Sequence, residues 1–174
     1  MKSNTKKLAA RYLLWALVLA VMVFIFAHSA ETAEQSSATS GEFVKTVLTA
    51  VIKDFKDLPE AQQKQAVDSL QFIARKGAHF SIYLVLGSLC FLAMNTYNVK
   101  LKTKFSAALA ISFIYAISDE VHQFFVPGRA GQIRDVLIDF SGSLTGVALV
   151  WVFILIFRIV TKRGVFYEQK TAYK

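Results

Sequence analysis

The chain has 174 residues, 55% of them hydrophobic and only 18% charged, with 15 phenylalanines. That balance excludes an ordinary soluble domain, in which about a quarter of residues are charged. The formal net charge of +8 would suggest nucleic acid in a soluble protein. Here the basic residues cluster beside apolar runs, so no nucleic-acid partner is expected and the charge reads as a topology signal.

In chain order, four segments predict membrane spans, at about residues 12–28, 79–97, 105–125 and 135–157. A span needs about 20 largely apolar residues, so the first two must recruit flanking residues at the interface. Lys2, Lys6, Lys7 and Arg11 precede the first run. Lys100, Lys102 and Lys104 separate the second from the third, and Arg158, Lys162, Arg163, Lys170 and Lys174 follow the fourth. Short loops rich in Lys and Arg stay cytoplasmic. Both termini and the Lys-rich loop are therefore expected in the cytoplasm, and residues 29–78 outside. The expected fold is all-α, an integral membrane four-helix bundle in a single domain over residues 1–174, with extracytoplasmic amphipathic helices between spans 1 and 2. The first run also fits a signal peptide, with a basic start and small residues around Ala27, His28 and Ser29. Its length and Trp15 favour an uncleaved anchor. Cys90, the single cysteine, excludes an intramolecular disulfide.

Between the first two spans, residues 31–40 are rich in Ser, Thr, Glu and Ala and predict a surface loop. Phe43, Val44, Val47, Leu48, Val51, Ile52 and Phe55 then recur at helical spacing, which predicts an amphipathic helix. Asp57-Leu58-Pro59-Glu60 predicts a stop and restart, with Asp57 as N-cap and Glu60 at the capping-box position. A second helix through Val67, Leu70, Ile73 and Ala74 leads into the second span. This pair of helices either lies on the outer membrane surface or forms a lid over a site.

The site candidates cluster in residues 117–146. Asp119, Glu120, His122, Gln123, Arg129, Asp135 and Asp139 lie here between two apolar runs. An ionisable group at membrane depth costs about 2.5–3.5 kcal/mol, so it persists where it has a partner or a task. Val126-Pro127-Gly128-Arg129-Ala130-Gly131 predicts a reversing turn. Asp119, His122, Gln123 and Tyr115 share one helix face. Asp135, Asp139, Gly142 and Gly146 form a stripe on the fourth helix, and Lys76, His79, Tyr83 and Gly87 one on the second. These stripes fall at one end of the bundle and predict a common pocket. The Gly142–Gly146 spacing lets another backbone approach closely, with packing inside the monomer favoured over a dimer.

Two chemistries suit such a pocket. A carboxylate–histidine set of Asp119, Glu120 and His122 can act as catalytic acid and base. Lys76, His79, Tyr83, Gln123, Arg129, Asp135 and Asp139 would bind a ligand, with Arg129 and Lys76 gripping its anionic group and Arg129 folded back towards a carboxylate. Alternatively, His79, His122 and some of the four acids bind a divalent metal. No dense ligand motif such as HExxH is present, so metal ranks below metal-free chemistry and no cofactor is expected. His79 and His122 also have a plain reading in the headgroup layer, and Arg134 one as a lipid-phosphate contact.

Asp119-Glu120-x-His122-Gln123, Phe125-x-Pro127-Gly128-Arg129, then Asp135, Asp139, Gly142 and Gly146 resemble the VanZ-like family. The Lys76-x-x-His79-Phe80-x-x-Tyr83-x-x-Leu86-Gly87 block and the His28-Ser29 end of the first span look like its other signatures. Asp139 departs from the pattern, which usually has Asn there. The resemblance implies a small bacterial protein of the cell envelope, in the plasma membrane, in a family named for a member linked to teicoplanin resistance. Together these readings favour a protein that binds an amphipathic or lipid-linked anionic ligand at the outer leaflet. The alternative is an intramembrane enzyme acting on a lipid headgroup or lipid-linked phosphate. The expected partner is therefore a membrane lipid or a lipid-linked envelope precursor; the sequence assigns no oligomeric state. Transport ranks last, because the central parts of the spans lack ionisable residues.

Overall fold

The computed structural model describes residues 2–172, with side chains over residues 5–161. Lys2, Lys162, Arg163, Lys170 and Lys174, on which part of the charge bias rests, lie outside the described side chains. The elements run α1 (Lys2–Ser29), α2 (Ala33–Val51), a 3-10 turn (Phe55–Asp57), α3 (Glu60–Asn95), α4 (Leu101–Gln123) and α5 (Ile133–Ala172). No strand occurs among the described residues. Four stretches are long and apolar enough to cross a membrane: Thr5–Ser29, Glu60–Asn95, Leu101–Gln123 and Ile133–Thr161. Their outward faces carry large exposed apolar side chains such as Leu13, Val23, Ile114, Phe153 and Ile156. In water these would be a liability; in a bilayer they are the expected contact surface. The chain is a helical multi-pass membrane protein.

The interior is narrow and centred on α3. Val18, Ile25, Tyr83, Leu86, Cys90, Phe91, Ala108, Ala116 and Val147 are buried together from four helices. The most extensive contact is between α3 and α5, and small residues make it possible. A Cβ at Gly142 would meet the Phe80 carbonyl oxygen, one at Gly146 the Leu84 carbonyl oxygen, and one at Gly87 the backbone of Ser143. Ser143 Oγ donates to the Tyr83 carbonyl at 3.1 Å. The glycine stripe of α5 is thus used within the monomer. At the end of the bundle away from the candidate residues, Arg11 donates to Thr96 (3.1 Å to Oγ1 and 3.0 Å to the carbonyl). Trp15 Nε1 donates to Tyr97 Oη at 3.1 Å, which ties α1 to the α3–α4 connection.

Three local expectations are corrected. Residues 31–40 are mostly helix, because Thr32 and Gln35 form a reciprocal capping box that starts α2 ten residues before its apolar stripe. Asp57 is not an N-cap: it closes the 3-10 turn, and Pro59 caps α3 without a side-chain bond. The second outer helix and the second span are one uninterrupted helix of 36 residues, which at 1.5 Å per residue is about 54 Å long and overreaches a hydrocarbon core of about 30 Å. The surplus N-terminal turns support α2, whose Val44 and Leu48 pack with Phe55 against Ala66, Val67 and Ala74. Gln71 Nε2 adds a 2.6 Å bond to the Ser37 carbonyl.

Candidate functional site

The turn that reverses the chain sets up the site. Pro127 and Gly128 follow α4, and Gly128 adopts φ 75, a left-handed conformation that glycine takes without strain. The Ala33 N–H donates to the Pro127 carbonyl at 3.4 Å, fixing the start of α2 to this turn. A Cβ on Gly131 would meet the Glu120 carbonyl oxygen at 2.6 Å, so glycine lets the returning chain lie against α4. Glu120 Oε2 accepts from the Gln132 N–H at 2.8 Å, just ahead of α5. An anion at a helix N-terminus is favoured by the unpaired N–H groups there.

Along the α3–α5 seam, the polar stripes meet in register. Lys76 Nζ lies 2.5 Å from Asp135 Oδ2. One turn deeper, His79 Nδ1 lies 3.5 Å from Asp139 Oδ1. These are the two ion pairs among the described residues. Asp119 (3% exposed) and Asp139 (0%) are buried beside them, and among the described residues Asp119 Oδ1 and both Asp139 oxygens have no hydrogen-bond partner. The buried Tyr83 hydroxyl, one turn along α3 from His79, has none either. His79, Asp119 and Asp139 each offer one ligand atom, all within 4.8 Å of one another.

Gln123 bridges the acids: its Nε2 donates to Glu120 Oε1 at 3.1 Å and to Asp119 Oδ2 at 3.4 Å. Arg129 folds back over α4, but it reaches Gln123 Oε1 (3.4 Å) and the His28 carbonyl (3.5 Å). It makes no ion pair among the described residues, so the expected arginine–carboxylate contact is replaced by a contact through Gln123. Burial, and after it the neighbouring Arg75, hold the Arg129 guanidinium below its ordinary pKa, with Glu31, Asp119 and Glu120 pulling the other way.

Lys76, His79, Tyr83, Asp119, Glu120, Gln123, Asp135 and Asp139 therefore gather between α3, α4 and α5, with Arg129 above them. His122 stands apart. Its ring stacks on Phe26 of α1 at 4.4 Å, and its Nε2 is buried without a partner. The histidine–carboxylate pair expected of His122 is made by His79 instead. Two cavities open beside the cluster. An apolar groove of about 350 Å³ runs between α1, α2 and α3, past Phe24, Ile25, Phe43 and Ile82. A polar cavity of about 170 Å³ is lined by Lys76, Gln123, Gln132 and Asp135, among others. Arg75, His79 and Arg129 line both. Sequence reasoning misses Arg75 as a site residue. Its signal is its place one turn before His79, on the face of α3 that α2 covers.

The model of the VanZ/LLP1 family matches residues 14–157. The chain belongs to the VanZ/LLP1 family. The match runs from α1 through the apolar part of α5 and includes every residue of the cluster, which makes this a VanZ-like envelope membrane protein. Among curated proteins and among solved structures, nothing matches the chain.

Proposed function

We propose that this VanZ-like protein holds an amphipathic or lipid-linked anionic ligand, its chain in the apolar groove and its anionic group under Arg75 and Arg129. One observation carries the reading: the apolar groove and the polar cavity share Arg75, His79 and Arg129, so a single amphiphile fits across both. Apolar pockets with a few convergent polar groups are the usual form of a small-molecule site, and guanidinium groups suit phosphate geometry. Lys6, Lys7, Arg11, Lys100, Lys102 and Lys104 lie away from the cluster, near the other end of the bundle. By the positive-inside rule this supports a reading with both termini in the cytoplasm and the site at the outer leaflet, and family membership supports a place in the cell envelope.

The test is lipid binding by the full chain in detergent or nanodiscs, comparing phosphatidylglycerol with phosphatidylcholine. Phosphatidylglycerol should bind at least tenfold more tightly. Arg75→Ala with Arg129→Ala should remove that preference while leaving the helices intact. Equal affinity for the two lipids overturns the reading. A contribution to glycopeptide resistance is tested separately, by whether expression raises the teicoplanin concentration that a sensitive host survives.

A second reading, an intramembrane enzyme acting on a lipid headgroup or lipid-linked phosphate, is favoured by the His79–Asp139 pair. Such a pair can hold and move a proton. Turnover of a lipid phosphate by the purified chain, lost in His79→Gln, would establish it.

A further inference from the structure

We infer that His79, Asp119 and Asp139 form a binding site for one divalent transition-metal ion, of the class that takes mixed nitrogen and carboxylate ligands. The three residues come from α3, α4 and α5, and their ligand atoms lie within 4.8 Å of one another. In a four-coordinate site with bonds of about 2.1 Å, ligand atoms sit about 3.4 Å apart, so small rotations of the two aspartates close the cage.

A second observation points the same way. Asp119 is 3% exposed and Asp139 0%, yet three of their four oxygens accept no hydrogen bond of good geometry among the described residues, although the Ser29 hydroxyl faces Asp119 and the His79 ring faces Asp139. Buried polar groups are ordinarily paired, and buried charges are paired or coordinate metals. The nearest cationic group, His79, makes a 3.5 Å ion pair to Asp139 alone. The Gln123 amide reaches only the other oxygen of Asp119. A doubly charged cation would balance both carboxylates at once and use the vacant lone pairs. Lys76 is committed to Asp135 one turn nearer the turn end, so it does not supply that balance. The Tyr83 hydroxyl, one turn along α3 from His79, is likewise buried without a partner among the described residues. His79 lines the polar cavity, which gives a hydrated ion a route in.

One imidazole and two carboxylates suit Zn²⁺, Mn²⁺ or Fe²⁺ better than Ca²⁺ or Mg²⁺, which prefer all-oxygen shells. Three protein ligands with an open position leave room for a ligand oxygen. The site lies deeper than the arginines of the proposed lipid contact and shares His79 with it, but neither arginine is among its ligands.

The experiment uses the full chain in detergent, stripped with EDTA and dialysed separately against Zn²⁺ and Mn²⁺, with metal counted by mass spectrometry. About one ion per chain is expected, with a rise in Tm on adding the metal. Asp139→Asn and Asp119→Asn should lower occupancy at least tenfold, whereas Arg129→Ala should keep it. Substitution with Co²⁺ should give visible d–d bands that His79→Gln alters. A wild-type chain with no metal above the buffer blank overturns the proposal even if a variant fails to fold. So does full occupancy in folded Asp119→Asn and Asp139→Asn chains. Loss of lipid preference in Arg75→Ala with Arg129→Ala, metal retained, would separate the two sites.

Discussion

Lys76 and Asp135 join the middle of α3 to the first turn of α5 through a 2.5 Å ion pair, with only 17% and 10% of their side chains exposed. Removing the lysine leaves a carboxylate that is largely out of water and still has one oxygen without a partner. Lys76→Met should therefore cost about 2–3 kcal/mol, the scale of a hydrogen bond to a charged group, read as a lower Tm in detergent. Adding Asp135→Leu should recover part of that loss, because the uncompensated charge goes with it. A double variant no more stable than Lys76→Met would show that the pair contributes nothing beyond its lysine.

The glycines of α3 and α5 make opposite predictions. Gly142→Val puts methyl groups where the Phe80 carbonyl stands and should force α3 and α5 apart, with loss of the folded, monodisperse species. At Gly77 a Cβ would have nothing within 4 Å. Gly77→Ala should be neutral or stabilise by up to about 1 kcal/mol, since alanine is the better helix former. Size-exclusion profiles and Tm values of the two variants check both.

Glu120 separates capture from catalysis. Glutamine at this position keeps one carbonyl oxygen but turns a donor towards either the Gln132 N–H or the Gln123 amide, both of which now donate to it. The lost bond should cost about 1.5–3 kcal/mol of stability, the scale of a hydrogen bond to a charged group, and because Glu120 lines neither cavity lipid affinity should change little. A captured ligand would be held nearly as before. Complete loss of function in a cell-based assay, with normal expression of Glu120→Gln, would favour the enzymatic reading instead.

Topology is open to direct chemistry. A cysteine placed at Ser37 should react with an impermeant thiol reagent added from outside, and one at Lys102 should not. The reverse pattern would put the arginines and the acid cluster at the cytoplasmic face and remove the outer-leaflet assignment.

The span order and the three polar stripes are legible in the sequence because they are periodic: Asp135, Asp139, Gly142 and Gly146 recur at helical spacing whatever lies opposite them. Their partners are not. Lys76 chooses Asp135, and His79 chooses Asp139, because the glycines fix the offset of α5 against α3, and that offset is a tertiary quantity. The same holds for His79, Asp119 and Asp139, whose grouping draws on three helices and leaves no compact ligand motif in the chain. Sequence proximity makes His122 read as a partner of the adjacent acids and hides that its ring turns to Phe26 on α1. The start of α2 is hidden because residues 33–42 carry few apolar groups. Their helix is begun by the Thr32–Gln35 cap, which composition does not register.

Cys90 lies in the core, 0% exposed, and is the single cysteine of the chain. Its thiol is closed off by the packing of α3 against its neighbours, so reagents meet it only when those helices separate. The natural sequence is thus its own silent background for site-directed labelling, with no cysteine to remove first. It also carries a built-in gauge of integrity: the rate at which Cys90 becomes alkylated measures how often the bundle opens, in detergent or in a living membrane.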